Sequence, residues 1–508
     1  MINLFNSKIT RMTILICVLL FLVLTMLAFS NEKIPVPIND KRFEGIKLSI
    51  LADEFSTNVF NWYADEWKAE CGVEIGSIQT YPSRKEMETI MPKLITGGTP
   101  PWDLVVCAST FTADFIQSGG LEPLDKYLEK YEGADKYVED ILPAYREFYL
   151  KFEDQIFALL VDGDVHVLHY RPSYFNDEEN KKEFQEKFGY PLQIPDTWEQ
   201  YIDISKFFTE KYSNQGIYGT QFEGGRQWSM AWFFNIAAPM GVKYFDEDMN
   251  PLINSPEGIK ALDMLLEIKK YSPPGVENYS GSQEISNWQQ GKVIMHVWWV
   301  DMREFTAQAK VPIIEDTDDT VLPGIKTSDG KIIRRAMMPY GRVVFIPKNL
   351  PQERKEAAFY VAYRLSSPDY SIYSVADPYC GFDPYLYSHF SEKGIAQYTK
   401  PNPLRDITPE YPDNNGIFKT IEEARSHMNA DKANLEVGFP QPTWPGAIEY
   451  IESLSLSISK ALAGEISSKE ALDQAAEEWK KIVEKHGKED QKKYYQSFIS
   501  AAKKLGYW

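Results

Sequence analysis

The stretch Gly291-Lys292-Val293-Ile294-Met295-His296-Val297-Trp298-Trp299-Val300-Asp301 decides the fold. Between Val293 and Val300 its one polar residue is His296, and Gly291 supplies a turn signal before it. A run this short and this apolar predicts a strand buried on both faces of a sheet. In open α/β sheets, ligands bind just beyond the ends of such strands. Trp298, Trp299 and Asp301 are therefore candidate cleft residues. Indole faces suit the C–H surface of a sugar, and a carboxylate accepts its hydroxyls. Neighbouring strand residues point to opposite faces, so one of the two indoles is expected in the cleft.

Working outward, strand patterns at 46–52, 73–78 and 102–107 alternate with helical patterns at 60–71, 85–96 and 112–118. The helices close on Gly72, Gly97-Gly98 and Gly119-Gly120. This alternation predicts a parallel, helix-flanked sheet. Segment 156–170 is extended on both sides of Gly163 and reads as a crossover between two lobes. Further crossings are expected near 293–301 and at 339–347. A helix at 196–211 should be capped by Asp196 or Thr197. A hairpin at 244–254, helices at 256–270 and 352–366, and three C-terminal helices at 447–463, 467–486 and 489–504 complete the pattern.

Residues 1–30 read as an export signal: Lys8 and Arg11 precede an apolar run from Met12 to Phe29, and Ala28-Phe29-Ser30 offers a cleavage site. The run is also near the minimum length of an uncleaved membrane anchor. Cys17 lies inside it without lipobox spacing, which points to a free periplasmic or otherwise extracytoplasmic protein. The rest is too long for one ordinary core and suits two lobes. The chain carries a net charge of −19, and the leader's charges are both positive. Such an acidic surface argues against nucleic acid and anionic membranes as partners. Outside the leader, Cys71, Cys107 and Cys380 are odd in number, so no fully paired disulfide framework exists. Buried free thiols are expected, with a Cys71–Cys107 pair as the alternative.

Several segments together resemble the family 1 extracellular solute-binding proteins of bacterial ABC importers, the class that includes maltose-binding protein. They are Asn250-Pro251-Leu252-Ile253-Asn254-Ser255-Pro256-Glu257-Gly258, Gln289-Gln290-Gly291-Lys292-Val293-Ile294-Met295, Gly381-Phe382-Asp383-Pro384-Tyr385, and Ala463-Gly464-Glu465-Ile466-Ser467-Ser468 with Glu478-Trp479. The resemblance implies a two-lobed α/β, periplasmic-binding-protein type II fold. Its mixed sheets are flanked by helices, a ligand cleft lies between the lobes, and two or three crossing segments form the hinge. The expected division is 31–161 with 298–338 in the N-terminal lobe, and 162–297 with 339–508 in the C-terminal lobe. It also implies a monomer that binds a sugar or oligosaccharide, without a cofactor, and hands it to the permease subunits of an ABC importer. The stretch 379–434 exceeds the smaller members' length; it covers the cleft or decorates the surface.

The ligand-binding candidates follow from position. Asp162 and Asp164 flank Gly163 in the first crossing, Tyr340 and Arg342 lie in the third, and a guanidinium can fork onto hydroxyls. Ser109 and Thr110 follow one strand; Phe55 and Ser56 follow another. Trp228, four residues before Trp232, and the loop residues Asp383 and Trp444 complete the set. Helix capping, core packing and interlobe ion pairing are the competing roles. Asp246-Glu247-Asp248-Met249-Asn250 resembles part of a calcium loop but lacks its glycine and distal glutamate, so a plain turn is expected. His166 and His169, three apart on a strand, face opposite sides and do not make a metal pair. Metalloprotease, nucleophile-elbow, Walker and Cys-x-x-Cys motifs are absent from the sequence, so no catalytic role is assigned. A secreted carbohydrate-active hydrolase, with paired Asp residues as acid and base, and a non-transport sugar-binding surface protein are the alternatives.

Overall fold

The computed structural model describes residues 33–53, 56–81, 85–152, 155–226 and 228–508. The expected leader, Phe55 and Gln227 lie outside them. Ten strands frame the site: β1 (Lys47–Asp53), β2 (Glu74–Tyr81), β3 (Leu104–Ala108), β4 (Ala158–Leu160), β5 (His166–Tyr170), β6 (Met295–Trp299), β7 (Asp318–Thr320), β8 (Ala336–Met338), β9 (Arg342–Phe345) and β10 (Gly438–Pro440). The first sheet has the order β2-β1-β3-β9-β4. Its first three strands are parallel, as the strand–helix alternation demands. β9 enters antiparallel between β3 and β4, so the sheet is mixed. The second sheet, β6-β5-β7, is antiparallel, and β8 pairs with β10 in a parallel ribbon.

The opening stretch forms β6, and all five of its residues are buried. It is not a crossing, however. β6 pairs along β5, and β7 follows in the same sheet. A buried apolar run has the same sequence signature whether its chain stays in the lobe or leaves it. The expected division changes with it. Residues 298–338 supply β7 and β8 to the second lobe, while β9, expected there, pairs Val343, Val344 and Phe345 into the first sheet. The chain passes between lobes at 161–165, joining β4 to β5, at 339–341, joining β8 to β9, and again between β9 and β10, which pairs with β8.

Two expected helices are broken. The 60–71 pattern divides at Tyr63 into Asn58–Trp62 and Ala64–Cys71. The 85–96 pattern divides at Ile90 into Glu86–Thr89 and Met91–Ile95, where Pro92 removes a helical N–H. Elsewhere the caps act as read: the Thr197 hydroxyl accepts from the backbone of Gln200, whose side chain closes a capping box. The C-terminal helices are Ala447–Leu462, Ser468–Lys485 and Lys488–Lys504. Their buried faces enclose Trp479, whose indole N–H donates to Tyr450 O at 3.0 Å and whose ring lies 5.0 Å from Phe245.

The stretch 379–434 belongs to the body of the protein. Its helix Ile421–Glu436 packs on β7. His427 meets Asp319 at 2.8 Å from one side while His169 of β5 meets it at 2.5 Å from the other. Cys71, Cys107 and Cys380 are buried free thiols. No helix among the described residues is long and apolar enough to cross a membrane. Trp479→Ala should cost about 3–5 kcal/mol of unfolding free energy, because it opens a cavity in the aromatic core and removes the indole's hydrogen bond to Tyr450 O. Urea unfolding monitored by circular dichroism measures it.

Candidate functional site

The site begins where β1 ends and β9 starts. Asp53, the last residue of β1, accepts from Arg342 Nε at 3.0 Å and from the Ser56 hydroxyl at 2.9 Å. Arg342 opens β9, and its Nη1 pairs with Asp162 of the first crossing and donates to Gly381 O at 3.1 Å. One guanidinium thereby ties the first sheet, both crossings and the 381–385 loop. Burial opposes its charge, but Asp53 and Asp162 more than compensate, so its pKa is raised.

The three segments pack backbone to backbone. Asp162 Oδ1 accepts from Asp383 N at 2.6 Å, and Gly163 N donates to Asp383 O at 3.1 Å. Asp164 Oδ2 accepts from Gly341 N at 2.6 Å. A Cβ on Gly163 would stand 2.5 Å from Pro384 O, and one on Gly341 would stand 2.5 Å from the Tyr149 ring. Both glycines are therefore required by close approach. Asp162 and Asp164 are thus not a solvated turn; they are clamped beneath a loop far away in sequence.

Tyr340 holds a left-handed conformation at φ 77, which costs a non-glycine residue on the order of 1 kcal/mol or more. The Gln441 side chain offsets this by accepting from Tyr340 N at 3.0 Å and donating to Tyr340 O at 3.0 Å. Ser109 adds a hydroxyl donated to the same carbonyl at 2.5 Å. Ser109 therefore braces the second crossing, while Thr110 beside it is buried with its hydroxyl unpartnered.

An aromatic wall faces this junction. Trp228 packs edge-on against Tyr340 at 5.7 Å and Trp299 at 6.2 Å. The Trp299 indole donates to Pro339 O at 3.2 Å. Trp298 packs against Gly281 instead, where a Cβ would stand 2.9 Å from its Cη2. Trp232 touches both indoles. Trp444 lies elsewhere: its ring is 5.1 Å from Tyr495 and from Phe498 in the aromatic core under the C-terminal helices. It borders a cavity of about 80 Å³ with Phe148 and Phe152, far below the few hundred Å³ of a ligand pocket. A tryptophan between prolines has no periodicity to reveal which side it faces, so the expected stacking role fails there.

Carboxyls dominate the remaining lining. Asp301 keeps part of its surface exposed, but its Oδ1 is enclosed without a partner. Burial and the Asp162 charge push it up to about 7. Burial also raises Glu304, with Asp301 adding to it, and raises Asp383 and Asp164 beside the other aspartates. Asp53, Glu304 and Gln441 escaped the sequence reading. Asp53 sits at a strand's carboxyl end, and Glu304 lies three residues from Asp301 on one helical turn; both signals were present. Gln441 had none.

Residues 58–367 match the bacterial extracellular solute-binding protein family, and the chain belongs to that family. It is 27% identical over 203 residues to a mannitol-binding protein of Pseudomonas aeruginosa, covering 39% of this chain and 42% of that one. The chain thus matches less than half the length of that curated relative. Its fold is similar to maltose-bound MalE3 of T. maritima, with a TM-score of 0.65, 20% identity, and coverage of 86% and 99%. It is equally similar to a solute-binding protein of Agrobacterium radiobacter K84 in complex with ribitol, with a TM-score of 0.65, 19% identity, and coverage of 87% and 99%.

Asp301 generates a pH prediction. Its folded pKa lies above the ordinary carboxylate value, so the native state binds the extra proton and stability falls as pH rises through about 7. Asp301→Asn removes the ionisation. Its melting temperature relative to wild type should therefore rise between pH 5 and pH 8. A difference that stays flat across that range would contradict the assignment.

Proposed function

We propose that this protein captures a polyol, sugar or oligosaccharide between its two lobes, outside the cytoplasm, and delivers it unaltered to the permease subunits of an ABC importer. One observation carries the reading. Rings from Trp228, Trp299 and Tyr340 stand beside carboxylates and Arg342 at the point where the lobes' connecting segments converge. Flat rings cover the C–H faces of a polyhydroxylated ligand, and charged acceptors and a forked donor take its hydroxyls. Mannitol, ribitol and maltose, the compounds in the names of the similar proteins, have this chemistry.

The mechanism follows from the connections. Residues 161–165 and 339–341, with the return of the chain between β9 and β10, are the covalent links that must accommodate a rotation of one lobe against the other. A solute touching both lobes favours the closed arrangement by its differential affinity and shifts the population toward it. The importer would read that closed surface. No step of this cycle breaks a bond in the solute, so in this reading the protein is not an enzyme.

Isothermal titration with mannitol, ribitol, maltose and longer maltodextrins tests the proposal. One of them should bind with one site per chain and a dissociation constant in the micromolar range or below. Trp228→Ala should weaken it about ten-fold or more, through lost ring stacking. Reducing ends released from a bound glycoside would establish hydrolysis instead. Silence across the whole panel would remove the polyhydroxylated ligand.

A further inference from the structure

Asp162 and Asp383 are 221 residues apart in the chain, yet with Asp164 they converge so that one oxygen of each lies within 4.8 Å of the others. Carboxylates converging this closely repel one another unless something positive or protonated stands between them. Asp162 has a partner in Arg342, but that guanidinium is shared with Asp53. Asp164 holds Gly341 N through Oδ2. Asp383 is different. It is 1% exposed, and neither carboxylate oxygen has a hydrogen-bond partner. A buried carboxylate with both oxygens bare is among the most costly arrangements in a protein interior.

The surroundings share the deficit. Glu304, also 1% exposed, has a bare Oε2, and Asp301 has a bare Oδ1. Both interact electrostatically with Asp383. Asp53, Asp162, Asp164 and Asp301 feel the Arg342 guanidinium and Glu304 feels Arg303, so with Asp383 six carboxyls share two cations. Sugar hydroxyls do not resolve this well, because each donates one hydrogen to one acceptor. A hard dication accepts several carboxylate oxygens at one point.

We propose that Asp162, Asp164 and Asp383 form a divalent-cation site at the floor of the interlobe cleft, with calcium as its ion. Calcium tolerates irregular oxygen sets at 2.3–2.6 Å, whereas magnesium demands a near-ideal octahedron with shorter bonds. Two carboxylates held by backbone N–H groups and a third on a separate loop make an irregular set. The ion would also fasten the 381–385 loop onto the first crossing, the junction that the cleft reading makes the hinge. The inference rests on that reading for its role in closure.

The test uses the full chain stripped with a chelator and titrated calorimetrically with calcium chloride, alongside thermal melts with and without calcium. One calcium per chain should bind and raise the melting temperature. Asp383→Asn, nearly isosteric, should weaken binding about ten-fold or more. Asp246→Asn should leave it unchanged. Asp246 belongs to the calcium-loop-like turn, where its carboxylate already accepts from Asp248 N and Asn250 N. If Asp383→Asn does not fold, as judged by circular dichroism, Asp164→Asn replaces it. Absence of both heat and melting shift at millimolar calcium overturns the proposal. So does calcium binding that survives Asp383→Asn, or that disappears with Asp246→Asn. Solute titrations run in chelator and in calcium keep the two readings apart. Solute binding without any calcium binding removes only the ion site, and calcium binding without any solute removes only the polyhydroxylated ligand.

Discussion

Arg342 is the interaction on which the rest depends. Its guanidinium joins the end of β1, the first crossing and the 381–385 loop, and its own backbone begins β9 directly after the second crossing. Removing one member of a buried ion pair typically costs about 3–5 kcal/mol, because the orphaned charge stays desolvated. Here two carboxylates would be orphaned together. The choice of arginine over lysine follows from the geometry: Asp53 takes Nε while Asp162 and Gly381 O take Nη1, a fork that an ammonium cannot reproduce.

Around that fork the molecule places more carboxyls than cations. Arg405 and Asp377, by contrast, form a fully buried pair with Asn402 as a further donor to the aspartate, and Arg364 is shared between Glu70 and Asp369. The balance at those structural pairs marks the imbalance at the junction as a property of the site. Low-dielectric surroundings amplify it, and the raised pKa values of Asp164, Asp301, Glu304 and Asp383 express the same cost. A site in this condition gains free energy from any ligand that brings donors or positive charge.

The aromatic content divides between two tasks. Trp444, Trp479, Phe245 and Tyr495 build the core beneath the C-terminal helices. Trp228, Trp299 and Tyr340 stand at the lobe junction, where each meets the others edge-on or binds the crossing's backbone. The left-handed Tyr340 is the one ring in this group held by a dedicated amide clamp, Gln441. That clamp joins β10 of one lobe to the Ser109 corner of the other. It ties the backbone of the second crossing to both lobes.

The sequence by itself determined the local elements. Alternating strand and helix periods define the parallel half of the first sheet, Thr197 and Pro256 mark helix starts, and the C-terminal helices fall within a residue or two of their pattern. These features depend on neighbours a few residues apart, and such neighbours are visible in a linear chain. It also placed Asp162, Asp164, Tyr340, Arg342 and Trp299 in connecting segments or at a strand's end. What only the tertiary structure decided is which sheet each strand joins and which side chains meet. β6 stays in its lobe, β9 changes lobes, Trp444 turns into a core, and Asp53, Glu304 and Gln441 enter the site. The physical reason is that strand pairing and ion pairing are long-range contacts. Asp53 and Arg342 are 289 residues apart in the chain and 3.0 Å apart in space, and no periodicity encodes that distance.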